Sequence, residues 1–358
     1  MDSAVEFAAM GRLEVRITVH DVGKRISVRR LADTGDSDGR FTDTVGILTS
    51  WDDGTLVVTR RTGERVHIAE SSLVAGKVVP GAPVRRRGPS ASYAELARVT
   101  ARAWQPVESE PLGDWVLRAA VRRAPGTAGT GAVGFTRRAN SVLPLGDPGL
   151  PLPEALSAVR AWYARRGLPP YIQTATGTAG AQERLCADLE AAGWRREVTA
   201  ELRTAPLAPL ADPAGDRAAQ PARVRLHRDV DEGWLRRYNR SGGPGGPAAE
   251  PGGAVRTVLA AGPSVWFASV PGEAPEVPVA IGRCVVDGRW AGFMAVEVDP
   301  AARRRGLATA VMTALARRAL DEGASAAWLQ VESDNTGARA LYDGMGFDVH
   351  HSYHHYRG

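Results

Sequence analysis

A strand, a tight turn and a helix follow one another between Val296 and Thr309, and this segment constrains the fold more than any other part of the chain. The helix that begins after Gly306 carries an apolar stripe, and its first turn leaves backbone N–H groups without intrahelical partners. Gly306 and Ala308 add little bulk, so a ligand can approach the main chain closely, and three arginines precede Gly306. The segment therefore predicts a diphosphate-binding helix N-terminus that uses no P-loop lysine.

The 358-residue chain divides into three blocks of different pattern. Residues 11–87 hold about five short alternating runs separated by Asp- and Gly-rich turns, which predicts a small all-β barrel. Residues 92–204 and 223–358 alternate helical and strand-like segments, and both end in a helix, a glycine, an aromatic residue and a strand, at Gly193 and Gly346. The predicted fold class is mixed, α+β and α/β, with a barrel followed by two mixed-sheet halves related by divergent duplication.

Composition excludes several classes of protein. Hydrophobic residues make up 44% of the chain and charged ones 24%, which is enough apolar material for folded cores. No apolar run approaches the roughly 18 residues that span a bilayer, and the acidic start lacks a secretory signal, so we expect a cytoplasmic protein without membrane contact. The two cysteines, Cys186 and Cys284, are too few for a disulfide scaffold.

The His-rich stretch at residues 350–356 has the residue type of a metal site but not the arrangement. Alternation along a strand places His351 and His355 on one face and His350 and His354 on the other. No cluster of Asp, Glu or Cys accompanies them in the sequence, and we therefore predict no metal site.

The motif Arg303-x-x-Gly306-x-Ala308 resembles the signature of the GNAT N-acetyltransferase superfamily, which is Arg or Gln-x-x-Gly-x-Gly or Ala after the fourth strand. The run Glu332–Tyr342 resembles the fifth strand and the following helix of that superfamily, and Gly346-Phe347 resembles the start of its final strand. These segments occur in the superfamily's order, and the resemblance identifies residues 223–358 as a catalytic GNAT domain.

The resemblance implies that acetyl-CoA is the cosubstrate, with its pantetheine arm inserted between two splayed strands. Main-chain groups of the first strand would bind the pantetheine amides, and the turn before the helix would bind the diphosphate. The residues that the resemblance assigns to acetyl-CoA are Val296, Val298, Arg303, Arg304, Arg305, Gly306, Leu307, Ala308, Thr309, Asn335 and Ala338.

Tyr342 is the candidate catalytic residue. It shares a helix face with Ala338, Leu341 and Met345, so the periodicity alone also fits a tyrosine packed in the core. The resemblance implies that this tyrosine protonates the departing thiolate, an acid contribution of roughly 10²- to 10⁴-fold.

The amine that accepts the acetyl group needs a base, because a free alkylamine has a pKa of about 10. Glu297, Asp299, Glu332 and His350 are candidates, and a water chain is a further route; the sequence does not choose among them. Four residues are candidates for the amine side of the site, although each also fits a core or surface position: Trp234, Tyr238, Trp266 and Arg283.

Residues 92–204 resemble a degenerate first half of a tandem GNAT protein, the architecture of mycothiol synthases. The Pro-rich run Val142–Pro151 stands where the diphosphate motif would be, and proline has no N–H to donate. This half is therefore predicted to shape the structure or the substrate site, with the polar stretch Gly134–Ser141 facing the cleft between the halves.

Residues 11–87 resemble an SH3-like barrel that precedes tandem GNAT halves in some actinobacterial acetyltransferases. Basic residues outnumber acidic ones there by 14 to 10, so contact with a protein or a nucleic acid is expected. Because no stacked aromatic platform is visible, docking of a protein is ranked above nucleic acid.

Two hypotheses of function follow from these patterns. The first is an acetyl-CoA-dependent N-acetyltransferase that transfers the acetyl group directly, within a ternary complex, to an amine of a small molecule or a protein. The alternative is a non-catalytic acyl-CoA-binding module whose barrel docks a protein or RNA. Turnover of acetyl-CoA with amines separates the two.

Overall fold

The computed structural model describes residues 14–31, 41–60, 62–79, 88–123, 132–212, 224–238, 253–272 and 276–358. Their contacts form two compact units. The first contains the described residues up to 79 together with Ala175–Ala191, and the second contains residues 88–174 and Ala192–Gly358. Within the described residues, each helix is too short or too polar to cross a membrane.

The regular elements alternate along most of the chain. The helices are α1 (Tyr93–Ala103), α2 (Leu152–Ala164), α3 (Glu183–Ala191), α4 (Ala208–Ala211), α5 (Glu232–Arg237), α6 (Gly253–Ala260), α7 (Leu307–Asp321) and α8 (Thr336–Gly344). The strands of the first two blocks are β1 (Arg25–Leu31), β2 (Phe41–Asp52), β3 (Thr55–Thr59), β4 (Arg65–Ala69), β5 (Leu73–Val78), β6 (Glu108–Leu112), β7 (Trp115–Ala119), β8 (Val121–Arg123), β9 (Ala132–Gly134), β10 (Leu143–Pro144), β11 (Tyr171–Thr176) and β12 (Arg195–Pro206). The strands of the third block are β13 (Arg225–His227), β14 (Ser264–Val270), β15 (Ala280–Asp287), β16 (Trp290–Val298), β17 (Ala326–Glu332) and β18 (Asp348–Arg357).

The first unit is built on a five-stranded antiparallel sheet in the order β4-β3-β2-β1-β5. Its core is aliphatic, and α3 contacts β2, with Arg65 and Glu190 forming an ion pair at 2.9 Å. The predicted SH3-like barrel is not confirmed, because no ladder joins β4 to β5 among the described residues. These edge strands have five and six residues; β4 pairs with β3, and β5 pairs with β1 and bridges to Val15 at Gly76.

The second unit is organised around an eight-stranded sheet in the order β11-β18-β12-β17-β16-β15-β14-β13. The last strand of each half pairs with strands of the other half. Strand β12 pairs with β17, and β18 lies between β11 and β12, in a ladder that runs from Arg195↔Arg357 to Thr204↔Asp348. The two mixed-sheet halves of the sequence prediction therefore share one sheet, and each is completed by a strand from the other.

The middle half keeps the same strand pattern as the C-terminal half. Strand β16 is parallel to β17, and a parallel bridge joins Val142, just before β10, to Ile172 in β11. The segment from Val133 to Leu143 is not one strand, because a 3₁₀ turn at Arg137–Ala139 separates β9 from β10. The reason is Asn140, whose buried side chain bonds to the main chain around it and replaces the ladder.

Helices cover the two faces of the large sheet, each over its own apolar core. Helices α1, α5 and α6 pack on one face, and α4 and α7 pack on the other, with α8 partly buried beside α7. Strand alternation shows the division, since Trp328 belongs to the first core and its neighbours Leu329 and Val331 belong to the second. We call these the α1 face and the α7 face.

Candidate active site

A gap opens in the large sheet where β16 and β17 separate. The two strands pair only from Trp290–Phe293 against Ala326–Leu329. Beyond that point β16 continues to Val298 without a partner in β17, while the end of β17 pairs with β12. The main chain of β16 is therefore free of β17 in the region that the sequence assigned to the pantetheine arm.

A β-bulge in β16 accompanies the separation. The ladder between β15 and β16 shifts register so that two β16 residues lie opposite Gly282. One of them, Ala295, has φ 51°, a left-handed conformation that costs a residue with a side chain roughly 1–2 kcal/mol. A Cβ on Gly282 would lie 2.5 Å from Val311 of α7, so only glycine lets α7 lie this close to the bulge. A bulge bends its strand, and here the bend lies where β16 leaves β17.

The N-terminus of α7 lies at the gap. Gly306 is the N-cap at φ 73°, a conformation that glycine adopts without strain, and no side chain caps the helix. The first intrahelical bond is from Ala310 N–H to Gly306 O at 2.9 Å, which leaves the amides of residues 307–309 open to a ligand. Arg303 and Arg304 line a pocket that opens at this gap, whereas Arg305 is exposed and lies outside that pocket.

The start of α8 forms the adjoining wall. Asn335 caps this helix, since its side chain accepts a hydrogen bond from Ala338 N–H at 3.1 Å, and both residues line the pocket. Tyr342, further along α8, is half-buried and lies edge-to-face against Phe347 with the ring centroids 5.9 Å apart. Burial raises the pKa of Tyr342 to about 12, so its hydroxyl stays protonated at neutral pH and can donate a proton.

These walls enclose a pocket of about 840 Å³ that reaches through the sheet. All the residues assigned to acetyl-CoA except Arg305 line it, as does Tyr342. Its far end, on the α1 face, is formed by Trp104, Arg138 and Tyr238. Sequence reasoning missed Trp104 and Arg138, which come from the middle half; the only signal was the polar stretch Gly134–Ser141, which contains Arg138.

Three polar residues of β16 and β17 also line this pocket: Glu297, Gln330 and Glu332. Because Val331 packs into the α7-face core, alternation turns Gln330 and Glu332 towards the α1 face. The side-chain oxygen of Gln330 is buried and has no hydrogen-bond partner among the described residues. A carbonyl-type oxygen in this position can accept a hydrogen bond from a ligand N–H.

The other two candidate bases lie elsewhere. Asp299 forms an ion pair with Arg237 at 2.6 Å and accepts a hydrogen bond from Ala301 N–H, and these contacts lower its pKa. The Nε2 atom of His350 lies 3.0 Å from the carbonyl oxygen of Ala91. Only the two glutamates among the four candidates line the pocket.

The model of the family described as "Probable histone acetyltransferase Rv0428c C-terminal" matches residues 91–356. The chain belongs to this family. A protein of Mycobacterium tuberculosis (strain ATCC 25618 / H37Rv) named probable histone acetyltransferase Rv0428c is 29% identical over 335 residues, which cover 92% of this chain and 93% of the relative. The protein is a GNAT N-acetyltransferase.

Two further comparisons give one relative by sequence and one by fold. The bS18-alanine N-acetyltransferase of Haemophilus ducreyi is 43% identical over 53 residues, which cover 15% of this chain and 37% of that protein. The structure of a tandem GNAT protein from the clavulanic acid biosynthesis pathway superposes with a TM-score of 0.50 at 14% identity, covering 76% of this chain and 90% of the other. The second comparison shows a shared fold.

Three of the four residues proposed from the sequence for the amine side of the site do not line the pocket. Trp234 is buried and donates its indole N–H to Ala268 O, and Trp266 donates its indole N–H to Glu322. Arg283 is fully buried, where it donates to the carbonyl groups of Ala103 and Ala261, and burial lowers its pKa to about 10. Of the four candidates only Tyr238 lines the pocket, because the sequence pattern does not distinguish a core aromatic from one beside a cavity.

The His-rich stretch forms β18, a strand inside the large sheet. His351, His354 and His355 are buried there, and burial lowers the pKa of His351 and of His354 to about 3. These imidazoles are therefore neutral at pH 7 in the folded chain. Within the described ranges, no three His, Cys, Asp or Glu side chains are grouped as a metal-ion site.

Proposed function

We propose that the second unit transfers an acetyl group from acetyl-CoA directly to an amine within a ternary complex. The observation that carries this proposal is one pocket that joins the uncapped N-terminus of α7 to polar residues on the opposite face of the sheet. Such a passage lets two substrates enter from opposite sides and meet where β16 and β17 separate.

The α7 side fits the nucleotide end of acetyl-CoA. The open amides of Leu307, Ala308 and Thr309 and the positive end of the helix dipole would bind the diphosphate. The main chain of β16 at Val296 and Val298 has no partner in β17, and its free side offers the hydrogen bonds of a missing strand, which suits the amides of the pantetheine arm. When bound, acetyl-CoA supplies the thioester that carries the acetyl group.

The α1 side fits the amine. Its nitrogen would attack the thioester carbonyl, the C–S bond would break, and the products would be an amide and the thiol of CoA. We assign the proton lost by the amine to Glu332 and the proton gained by the thiolate to Tyr342. Gln330 and Glu332 lie two residues apart on one face of β17, which separates them by roughly 7 Å along the strand. If Gln330 holds the amine, a water molecule would carry the proton from the amine to Glu332.

Amine-dependent release of the CoA thiol tests the proposal. We expect the purified protein to release thiol from acetyl-CoA only when a primary amine is present, with intersecting initial-rate lines for the two substrates. Parallel lines together with a labelled acetyl-enzyme would contradict direct transfer. Tight binding of acetyl-CoA without turnover of any amine would instead favour the non-catalytic acyl-CoA-binding alternative.

The relatives suggest which amines belong in the first panel. The M. tuberculosis protein is named for histones, and the H. ducreyi protein for the alanine of a ribosomal protein. The panel therefore includes lysine peptides, peptides with a free N-terminal alanine and small-molecule amines. Docking of a protein partner by the basic N-terminal sheet stays a prediction.

Replacing Glu332 with glutamine should lower kcat by about 10²-fold, since an amide of the same shape cannot take the proton. Glu297→Gln is the matched control, because it makes the same change in a residue that lines the same pocket on β16; we expect a loss of less than about fivefold. A larger loss in Glu297→Gln than in Glu332→Gln would transfer the base assignment to Glu297.

A further inference from the structure

A buried positive charge lies at the amine end of the pocket. Arg138 is only 9% exposed, yet it lines the cavity. Its Nε and Nη2 atoms both donate to the hydroxyl of Tyr353, at 3.0 and 2.6 Å. None of the carboxylates in the described ranges lies within 4.0 Å of this guanidinium.

Arg138 is therefore a buried charge whose hydrogen-bond partner, the hydroxyl of Tyr353, is neutral. Charges inside proteins are normally paired, because a single charge taken out of water is strongly disfavoured. The phenol of Tyr353 and the rings around Arg138 are neutral. The guanidinium carbon of Arg138 lies 5.7 Å from the ring centroid of Trp104. The guanidinium therefore lacks a negatively charged partner in the part of the chain that the structure describes. A negatively charged ligand group can approach it from the pocket.

A second hydrogen-bond donor lies next to Arg138. Trp104 is 4% exposed and lines the same end of the pocket, and its indole N–H is buried with no acceptor among the described residues. Arg138 donates to a neutral hydroxyl and the Trp104 N–H has no acceptor among the described residues, so this end of the pocket matches a ligand group that has only acceptors. A carboxylate is such a group, and its two oxygens suit the planar fork of a guanidinium.

We propose that the amine substrate also carries a carboxylate, as a small amino acid does, and that Arg138 and Trp104 bind this carboxylate. The proposal rests on the proposed function and names its substrate class. The amine would then face Glu297, Gln330 and Glu332, so the charges of the pocket complement both ends of the substrate. A lysine-rich peptide fits poorly, because it would bring further positive charge to the buried guanidinium.

Matched substrate pairs test this inference. Each pair consists of a small amino acid and its C-terminal carboxamide, which differ only in the charge of the group meant for Arg138. We expect the wild-type protein to prefer the carboxylate by roughly 10- to 100-fold in kcat/KM, the factor typical of a hydrogen bond to a charged group. Arg138→Gln should reduce this ratio to near 1, mainly through a higher KM for the carboxylate.

Two further variants separate recognition from a loss of structure. Arg137→Gln removes the same charge one residue away, from a side chain that is exposed and ion-paired with Glu197, and the carboxylate preference should stay. Trp104→Phe keeps a ring over Arg138 and removes only the N–H, so it should lower the preference partially. Acetyl-CoA titrations of each variant verify that the cosubstrate site is intact.

The outcomes distinguish this inference from the proposed function. Turnover of amines without a preference for the carboxylate, or with a lysine-rich peptide as the best substrate, overturns the inference and leaves the proposed function standing. An equal loss of preference in Arg137→Gln also overturns it. Binding of acetyl-CoA without turnover of any amine overturns both.

Discussion

Gly306→Asp should abolish the binding of acetyl-CoA, with a loss of at least about 100-fold in affinity. Gly306 has φ 73° and is the N-cap of α7, a left-handed conformation that aspartate and asparagine adopt less readily than glycine. The carboxylate of aspartate would also place a negative charge at the amides proposed to bind the diphosphate, where the helix dipole favours an external anion. Isothermal titration of acetyl-CoA into both proteins measures the loss.

Gly306→Asn is the matched control for this prediction. Asparagine has the size of aspartate and tolerates the left-handed region, but it carries no charge. We therefore expect a loss of affinity of about tenfold or less in Gly306→Asn, and the difference between the two variants isolates the charge term. If Gly306→Asp bound acetyl-CoA with wild-type affinity, this result would contradict the proposal that the diphosphate binds at the N-terminus of α7.

Tyr342→Phe should lower kcat by about 10²- to 10³-fold while leaving the affinity for acetyl-CoA unchanged within a factor of about three. Phenylalanine keeps the edge-to-face contact with Phe347 and removes only the hydroxyl proposed to protonate the thiolate. Rapid-quench measurement of the first turnover separates this chemical step from product release.

The pH dependence of kcat gives an independent check on Tyr342. A general acid is lost as the pH rises through its pKa, and burial raises the pKa of Tyr342 to about 12. The wild-type rate should therefore show no alkaline decline from this group up to about pH 10. Tyr238→Phe removes the hydroxyl of the other tyrosine that lines the pocket and should change mainly the KM for the amine. A kcat loss in Tyr238→Phe as large as that in Tyr342→Phe would contradict the assignment.

In the N-terminal block, the local sequence pattern predicts the strands but not which strands pair. Alternation and Asp-Gly turns predict about five strands, and the described residues of the first unit form a five-stranded sheet. The turn at Asp53-Gly54 has the positive φ values of a tight hairpin. Closure into a barrel requires the two edge strands to pair, and no local pattern encodes that pairing. The barrel prediction is therefore not confirmed.

The motif around Gly306 was determined by the sequence alone, for a physical reason. A glycine in the left-handed region, an uncapped helix start and adjacent small residues lie within a few positions of one another, so the helix N-terminus that we propose as the anion site forms from one continuous segment. The helix face that carries Tyr342 follows from local periodicity in the same way.

The amine end of the pocket was decided only by the tertiary structure. Arg138 and Trp104 belong to the middle half, and they reach the gap beside β16 because β12 and β18 exchange places within one sheet. Tyr353, the partner of Arg138, lies on the exchanged strand β18 itself. Strand exchange depends on ladders between residues more than 140 positions apart, such as Thr204↔Asp348, and periodicity within either half contains no information about them.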